Sequence, residues 1–295
     1  MPVRPARRSA RPSPWPDTTE QPALASRRAR GAPWRCGGPE GRAIVAQYEA
    51  LPDVYEWLMP DAKLTPQGSV AALDHLVRSL PSDARVLDCS CGTGQLAVGL
   101  AGLGLDVVAT DASAGMVRRT QELADEYSVP LPAMTVAWDD LPDHFDPSSF
   151  DLVICVGNSL CHARGTSGRH AALATMSRLL NPRGRLVLTS RTWERVRAGG
   201  TRMDVHDRLV SRSGHDALVI YSWQIEQGWD QEHHLEIAVA QVRPDGSVLT
   251  RSERLSFWPY RYDDLVAELG SVGLGVVEST FDPDADQYRV VAAPA

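Results

Sequence analysis

The stretch Val86-Leu-Asp-Cys-Ser-Cys-Gly-Thr-Gly-Gln-Leu96 decides the fold. Its first residues, Val86 and Leu87, are typical of a strand that is covered on both faces. Gly92 and Gly94 follow, and glycine lets a backbone turn tightly and come close to a ligand. The apolar run after the turn predicts a helix whose free N–H groups point back at the glycines. We therefore expect a buried strand, a glycine turn and a helix arranged around a ligand.

A second strand, Asp106–Thr110, is followed directly by an acid, Asp111. If the two strands are parallel neighbours, Asp111 lies beside the glycine turn. An acid at that place can accept hydrogen bonds from the two hydroxyls of a ribose. The pattern therefore indicates a nucleotide-like ligand.

Strands and helices alternate along most of the chain. The predicted strands are Arg85–Asp88, Asp106–Thr110, Met134–Trp138, Phe150–Val156 and Arg185–Thr189, and Gly275–Ser279 and Tyr288–Ala292 close the sheet. This alternation predicts an α/β fold with a doubly wound, Rossmann-like, mostly parallel seven-stranded sheet. Ligands bind at the carboxyl ends of the strands in such sheets.

Two segments flank or interrupt this pattern. Residues 1–42 contain many Pro, Arg, Ala and Gly and are predicted to be a disordered basic tail. Residues 43–295 are predicted to form the domain, with a helical lid at 43–80 that carries several aromatic residues. Within about residues 195–258, apolar residues recur at every second position, which predicts an inserted antiparallel β meander. Its strands are expected at Leu218–Ile225, Leu235–Val242 and Val248–Phe257.

Composition and charge restrict the function. The chain has 295 residues, 43% of them hydrophobic, and a formal net charge of −7. The first 42 residues carry nine arginines and three acids, a net of +6, so the remainder carries −13. An acidic body repels phosphate backbones and disfavours nucleic acid as the substrate. A small-molecule substrate is therefore expected, and the oligomeric state is left open.

Cysteines and apolar runs bear on location and metals. Five cysteines, an odd number, favour reduced thiols and a cytoplasmic protein. The Cys89-x-Cys91 pair lacks a second Cys/His pair with zinc spacing, so no metal site is predicted. No apolar run reaches the roughly 18 residues of a membrane-spanning helix.

The pattern D-x-x-C-G-x-G at 88–94, followed by Asp111, resembles motif I and the acidic motif of class I S-adenosylmethionine (SAM) methyltransferases. The resemblance implies SAM as the cofactor. It assigns the methionine part of SAM to the glycine turn and the ribose to Asp111. It also predicts that Asp139 accepts a hydrogen bond from the adenine amino group and that Trp138 or Met116 packs against the adenine ring. The cofactor-binding residues predicted in this way are Asp88, Cys91, Gly92, Gly94, Asp111, Met116, Trp138, Asp139 and Val156.

Three further runs are similar to segments of glycine and glycine/sarcosine N-methyltransferases. They are Phe150–His162, which contains Gly-Asn-Ser-x-x-His, Arg185–Trp193 and Arg254–Tyr260. The resemblance implies that Arg191 grips the carboxylate of the substrate and that Asn158 places its amine. His162 is implied to border the methyl-transfer centre. The sequence departs from that family at residues 235–239, Leu-Glu-Ile-Ala-Val, where those enzymes carry a substrate-facing tyrosine.

These roles suit the side chains. Arg191 offers a bidentate fork for a carboxylate, and Asn158 offers both a donor and an acceptor. A neutral amine needs no strong base, whereas a hydroxyl acceptor does, and His162, His233 or His234 could serve as that base. A solvated strand edge is the simpler interpretation of His233 and His234.

Four functions follow from these patterns. The preferred one is SAM-dependent transfer of a methyl group to the amine of an amino acid or a related metabolite. The second is O- or N-methylation of a larger acceptor in secondary metabolism, and the third is SAM binding without transfer. The fourth is an NAD-dependent Rossmann oxidoreductase; Ala97 stands at the third glycine position of its G-x-G-x-x-G motif, which only the looser G-x-G-x-x-A form allows.

Overall fold

A computed structural model describes residues 47–206, 209–212 and 214–295. The basic tail predicted at 1–42 and the start of the predicted lid lie outside the described residues. The helices are α1 (Pro66–Ala71), α2 (Asp74–Ser79), α3 (Gln95–Gly102), α4 (Ala114–Glu126), α5 (Gly165–Leu179), α6 (Trp193–Ala198) and α7 (Tyr262–Ser271). Short 3₁₀ helices span Pro52–Leu58, Asp61–Lys63, Trp138–Asp143 and Ser159–His162.

The strands form two sheets. They are β1 (Arg85–Asp88), β2 (Asp106–Asp111), β3 (Ala133–Thr135), β4 (Phe150–Cys155), β5 (Leu180–Arg191), β6 (Arg202–Val205), β7 (Val210–Arg212), β8 (His215–Gln224), β9 (His233–Val242), β10 (Val248–Phe257), β11 (Leu274–Ser279) and β12 (Gln287–Pro294). The larger sheet has the order β11-β12-β5-β4-β1-β2-β3. Its strands β1 to β5 are parallel, and β11 and β12 are antiparallel additions. The predicted seven-stranded, mostly parallel sheet is confirmed.

The position of β1 explains where a ligand binds. In β1, Leu87 and Val86 point to opposite faces and pack into two different core clusters. This is the double burial that the apolar run predicted. Because β1 pairs with β2 on one side and with β4 on the other, the direction of winding reverses at β1. The crevice at the carboxyl ends of β1 and β4 is therefore the expected binding site.

The smaller sheet is the predicted antiparallel meander. Its order is β10-β9-β8-β6, with β7 also paired to β8. In β9 the inward residues alternate with more exposed ones: His233, Leu235, Ile237 and Val239 are buried. One face of this sheet therefore covers the end of the larger sheet, and the other face is partly exposed.

The third strand ends earlier than predicted. The expected strand continued to Trp138, but β3 ends at Thr135 and Trp138 begins a 3₁₀ helix. The Trp138 indole N–H donates to the carbonyl of Cys89 at 2.7 Å. A buried indole needs such a partner, and the chain leaves the sheet to provide it.

No helix of the described residues is long and apolar enough to cross a membrane.

One buried ion pair joins α5 to α7. Both nitrogens Nε and Nη2 of Arg169 donate to the carboxylate of Glu268, at 3.0 and 2.7 Å. The side chains are only 3% and 11% exposed, so water screens this pair little. Removal of one partner leaves the other charge buried without compensation.

We expect Glu268→Ala to lower the free energy of unfolding by about 3–5 kcal/mol, because the Arg169 guanidinium loses the one ion-pair partner that it has among the described residues. Urea denaturation followed by circular dichroism measures the loss. The control is Asp74→Ala, which removes a solvent-exposed pair with Arg78 and should cost about 0.5 kcal/mol or less. Equal losses in the two variants would contradict the analysis.

Candidate active site

Different constraints favour glycine at the two glycine positions of the turn. Gly92 has φ of +54° and Gly94 has φ of +91°, a left-handed backbone that other residues adopt at a cost. A Cβ on Gly94 would lie 2.9 Å from the backbone and side chain of Thr120. A Cβ on Gly92 would meet no protein atom within 4 Å, and Gly92 lines a cavity. Gly94 is therefore needed for packing against α4, and Gly92 keeps the cavity wall free of a side chain.

Asp111 holds this turn in place. Its Oδ2 accepts from the Gly92 N–H and its Oδ1 accepts from the Ser113 N–H, both at 2.9 Å. Burial raises the pKa of Asp111, and these backbone hydrogen bonds act in the opposite direction. The predicted proximity of Asp111 to the turn is therefore seen in the structure. Its role toward a ribose stays a prediction.

A cavity opens at the glycine turn, with about 910 Å³ of space that is continuous with solvent. We call it the glycine-turn cavity. The predicted cofactor residues that line it are Cys91, Gly92, Asp111, Met116 and Val156. They come from four separate parts of the chain, and the fold brings them to one place. Gly94 is not among the lining residues.

A smaller apolar cavity adjoins it, and we call it the Trp138 cavity. Its lining includes Cys89, Asp111, Val136, Ala137 and Trp138. Asp111 and Ser90 also line the glycine-turn cavity, so the two cavities share a wall. Trp138 is 6% exposed, and its predicted packing against a planar ligand group stays a prediction. Asp139 is exposed and is not among the residues that line this cavity, so its predicted contact with adenine gains no support.

Asp88 lies beneath the turn. It is 1% exposed, and it lines neither of these cavities. A carboxylate oxygen of Asp88 accepts from the Ser90 N–H at 3.3 Å. Burial raises the pKa of Asp88 from 3.8 to about 7, and the nearby Asp111 charge adds to this effect. Asp88 therefore contacts the backbone of the segment that leads into the turn, and its role toward a ligand stays a prediction.

A third cavity, the Arg191 chamber, lies between the two sheets, with about 1010 Å³ of space continuous with solvent. The larger sheet contributes Asn158, from the loop after β4, and Arg191, from the end of β5. The smaller sheet contributes Tyr221, Trp223, Leu235, Ile237, Leu255 and Phe257. Tyr48, Tyr55, Met59 and Lys63 line both this chamber and the glycine-turn cavity. One segment therefore borders both cavities.

Arg191 has an unpaired charge. Among the described residues its guanidinium forms no ion pair or hydrogen bond, and it lies over the Trp223 ring at 5.5 Å. The chamber lining contains Lys63 as a second cation and no Asp or Glu among the described residues. An arginine fork without a counter-charge can bind an anion through two parallel hydrogen bonds.

Asn158 positions the arginine. Its Oδ1 accepts from the backbone N–H of Arg191 at 2.9 Å, and its Nδ2 donates to the Cys161 sulfur at 3.3 Å. Asn158 has φ of +68°, a conformation that asparagine tolerates better than most residues. The three residues predicted as catalytic, Asn158, His162 and Arg191, all line the chamber.

His162 is held in one tautomer. Its Nδ1 lies 2.8 Å from the carbonyl oxygen of Ser256, which can only accept, so Nδ1 carries the proton. Its Nε2 lies 3.1 Å from the Tyr48 hydroxyl and accepts from it. Burial lowers the pKa of His162, and burial raises the pKa of Tyr48. The pair is therefore neutral at pH 7.

The interpretation of His233 as a solvated strand edge is wrong. His233 has no exposed surface. Its Nδ1 accepts from the Glu226 N–H at 3.0 Å, and its Nε2 donates to the Gly228 carbonyl at 3.1 Å. The imidazole closes the loop between β8 and β9 and does not line the chamber. His234 is partly buried on the other face and is likewise not among the lining residues.

Sequence reasoning missed Lys63 as a site residue. It is exposed at the end of a 3₁₀ helix and lies where the glycine-turn cavity meets the chamber. A single lysine in a loop carries no motif, so only the fold shows its position. The aromatic residues of β8 and β10 were also missed, because period-two alternation predicts a buried face but does not show what that face covers.

The described residues contain no group of three or more His, Cys, Asp or Glu that could hold a metal ion.

The chain is similar to known methyltransferases. A family model described as a methyltransferase domain matches residues 86–184. The glycine/sarcosine N-methyltransferase of Aphanothece halophytica is 32% identical over 218 residues, which cover 71% of this chain and 75% of that protein. The glycine/sarcosine N-methyltransferase of Halorhodospira halochloris is 34% identical over 112 residues, which are 38% of this chain and 41% of that protein. The second match thus spans less than half of that relative's length.

A solved structure is also similar. The CcbJ methyltransferase of Streptomyces caelestis superposes with a TM-score of 0.67 and is 21% identical, and the match covers 85% of this chain and 98% of that one. At this identity the likeness concerns the fold alone.

The raised pKa of Asp88 predicts a pH dependence of stability. The folded protein keeps a proton on Asp88 up to about pH 7, whereas the unfolded chain loses it near 3.8. The contribution of Asp88 to stability is therefore present in full below about pH 4 and is lost as the pH rises to about 7, with a slope of at most about 1.4 kcal/mol per pH unit.

Asp88→Asn keeps the shape of the side chain and removes this titration. Melting temperatures of both proteins, measured between pH 4 and pH 8, give the difference between the two curves. We expect the melting temperature of the variant to rise relative to that of the wild type between pH 4 and pH 7, and the difference between them to stay constant at higher pH. Parallel curves over the whole range would show that Asp88 ionises normally.

Proposed function

This chain belongs to the family of SAM-dependent methyltransferases that includes the glycine/sarcosine N-methyltransferases, and we propose that it transfers the methyl group to the amine of an amino acid or a related small metabolite. The family membership disfavours an NAD-dependent oxidoreductase. The identity of the acceptor rests on the geometry of the Arg191 chamber.

The residues of the site fit SAM. The Gly92 backbone leaves room for a ligand beside it, and Asp111 presents a carboxylate at the junction of the glycine-turn and Trp138 cavities. A hydrogen-bonding acid next to a flat apolar cavity suits a ribose joined to a base. When bound, SAM supplies an electrophilic methyl group. Gly92, Asp111 and Trp138 are the residues that we assign to holding it.

The unpaired Arg191 guanidinium is the observation that carries the proposal. The described residues that line the chamber include no acid. The charge of Arg191 therefore costs desolvation energy unless a ligand supplies a negative charge. A carboxylate on the acceptor does so and accepts two parallel hydrogen bonds from the fork. This fixes one end of the acceptor, so that its amine is directed toward the glycine-turn cavity, with which the chamber shares its wall.

Alignment is the main contribution of the protein to this reaction. Methyl transfer is an in-line displacement, so the rate depends on proximity, orientation and exclusion of water. Arg191 is held by Asn158 through a backbone hydrogen bond of 2.9 Å. The segment with Tyr48, Tyr55 and Met59 covers both cavities. Asn158 therefore acts on the acceptor through the position of Arg191 as well as through its own amide.

The state of His162 favours an amine over a hydroxyl as the acceptor group. A hydroxyl must lose its proton during transfer and needs a base. The lone pair on His162 Nε2 already accepts from Tyr48, and burial lowers the pKa of the imidazole. A neutral amine carries its own lone pair and needs no such base. This geometry supports N-methylation.

Incubation of the full chain with methyl-labelled SAM and a panel of amino acids, amines without a carboxylate, catechols and phenols tests the proposal. We expect label in the amino acids. Label only in phenols or catechols would favour the O-methyltransferase alternative. Label in none, with SAM bound, would contradict transferase activity toward these acceptors.

Asp111→Ala should weaken SAM binding by about 1–3 kcal/mol, because it removes charged hydrogen bonds at the glycine turn and at the predicted ribose site. Isothermal titration calorimetry measures the affinity. Asp106→Ala, at the exposed other end of β2, is the matched control and should bind SAM as the wild type does. Unchanged affinity in Asp111→Ala would exclude the ribose assignment.

Arg191→Met should raise the KM of the amino-acid acceptor roughly tenfold to a hundredfold, because a charged hydrogen bond contributes about 1.5–3 kcal/mol. The KM of SAM should change little. Steady-state kinetics with each substrate varied in turn separate the two effects. Arg195→Met, on the exposed side of α6, is the control, and equal increases in both KM values for Arg191→Met would argue against carboxylate binding.

A further inference from the structure

The Arg191 chamber has an apolar wall that is much longer than a carboxylate and an amine require. Trp223 of β8 pairs with Leu235 of β9, and Leu235 pairs with Leu255 of β10. All three side chains line the chamber. Because neighbouring strands are about 4.8 Å apart, this row extends roughly 10 Å from the tryptophan that contacts Arg191.

Two more residues widen the wall. Ile237 lies two residues beyond Leu235 on β9, and Phe257 lies two residues beyond Leu255 on β10. Residues two apart on a strand share a face, and both of these line the chamber. The wall is therefore a continuous apolar surface formed by three strands.

The polar groups of the chamber lie elsewhere. Arg191 and Asn158 belong to the larger sheet. Tyr221 also lines the chamber; burial raises the pKa of its hydroxyl, and the charge of Arg191 acts in the opposite direction. The chamber therefore has an anion-binding end and an apolar wall.

We propose that the natural acceptor is an α-amino acid with an apolar side chain, and that Leu235, Ile237 and Leu255 contact that side chain. The inference rests on the proposed function, because it takes the carboxylate to lie on Arg191. Glycine has no side chain and leaves the wall without a contact.

Other side-chain classes suit the wall less well. A polar side chain would lose its hydrogen bonds to water and find no partner on leucine and isoleucine. A cationic side chain would enter a chamber that already holds Arg191 and Lys63 and no acid among its described lining residues. An apolar side chain covers the wall and removes apolar surface from water.

Equilibrium binding to the full chain saturated with S-adenosylhomocysteine tests the inference without requiring turnover. Calorimetry with glycine, sarcosine, alanine, valine and leucine gives the relative affinities. One methylene group in an apolar pocket changes the ratio of two ligands' affinities by about 10- to 200-fold. We therefore expect leucine or valine to bind at least about tenfold more tightly than glycine. Tightest binding by glycine or sarcosine, or binding by none of the acids, would overturn the inference.

Ile237→Ala shows whether the wall makes the contact. It should weaken leucine binding by about tenfold and leave glycine binding unchanged. Glu236→Gln, the neighbouring residue on the exposed face of β9, should change neither. Equal affinities of wild type and Ile237→Ala for leucine would overturn the assignment of the wall.

Turnover separates the two proposals. If leucine binds most tightly but receives no methyl group from SAM, the proposed function fails and the inference about the wall stands. If glycine is methylated most efficiently and binds most tightly, the proposed function stands and the inference fails.

Discussion

The Asp111 carboxylate is the interaction on which the site depends. One oxygen accepts from Gly92 in the turn after β1, and the other accepts from Ser113 at the start of α4. The carbonyl of Gly92 is held in turn by the Thr120 hydroxyl at 2.9 Å. The Gly92 peptide is thus fixed on both sides by groups from the neighbouring strand and helix. These hydrogen bonds stabilise the left-handed turn.

The smaller sheet holds the segment that covers both cavities. The Gln47 amide exchanges two hydrogen bonds with the backbone of Ser256, at 2.7 and 3.1 Å. Glu253 accepts from the backbone N–H groups of residues 49 and 50. Arg212 donates to the carbonyls of residues 56 and 59. The segment that covers both cavities is therefore fastened to β7 and β10 of the smaller sheet.

Much of the larger sheet could be predicted from the sequence, because parallel strands read as continuous apolar runs and glycine turns are distinctive. Asn158 and Arg191 were found through a family resemblance, and no property of the isolated residues shows that one fixes the backbone of the other. The extent of β3 was wrong, since the hydrogen bond from Trp138 to Cys89 is a long-range contact. The prediction that His233 is solvated was wrong for a similar reason. The hydrogen-bond partners of His233 lie in a loop whose shape the local sequence does not determine.

The division of the chamber between two sheets has an evolutionary consequence. The glycine turn, Asp111 and Arg191 lie on the larger sheet and its loops, and Asp111 alone accepts two backbone hydrogen bonds there. The apolar wall lies on β8, β9 and β10, and each of these strands contributes two side chains to the chamber lining. Under the proposed function, changes at these inward positions alter the choice of acceptor and leave the glycine turn and Asp111 unchanged. This architecture allows a lineage of enzymes to diversify in substrate without having to rebuild its chemistry.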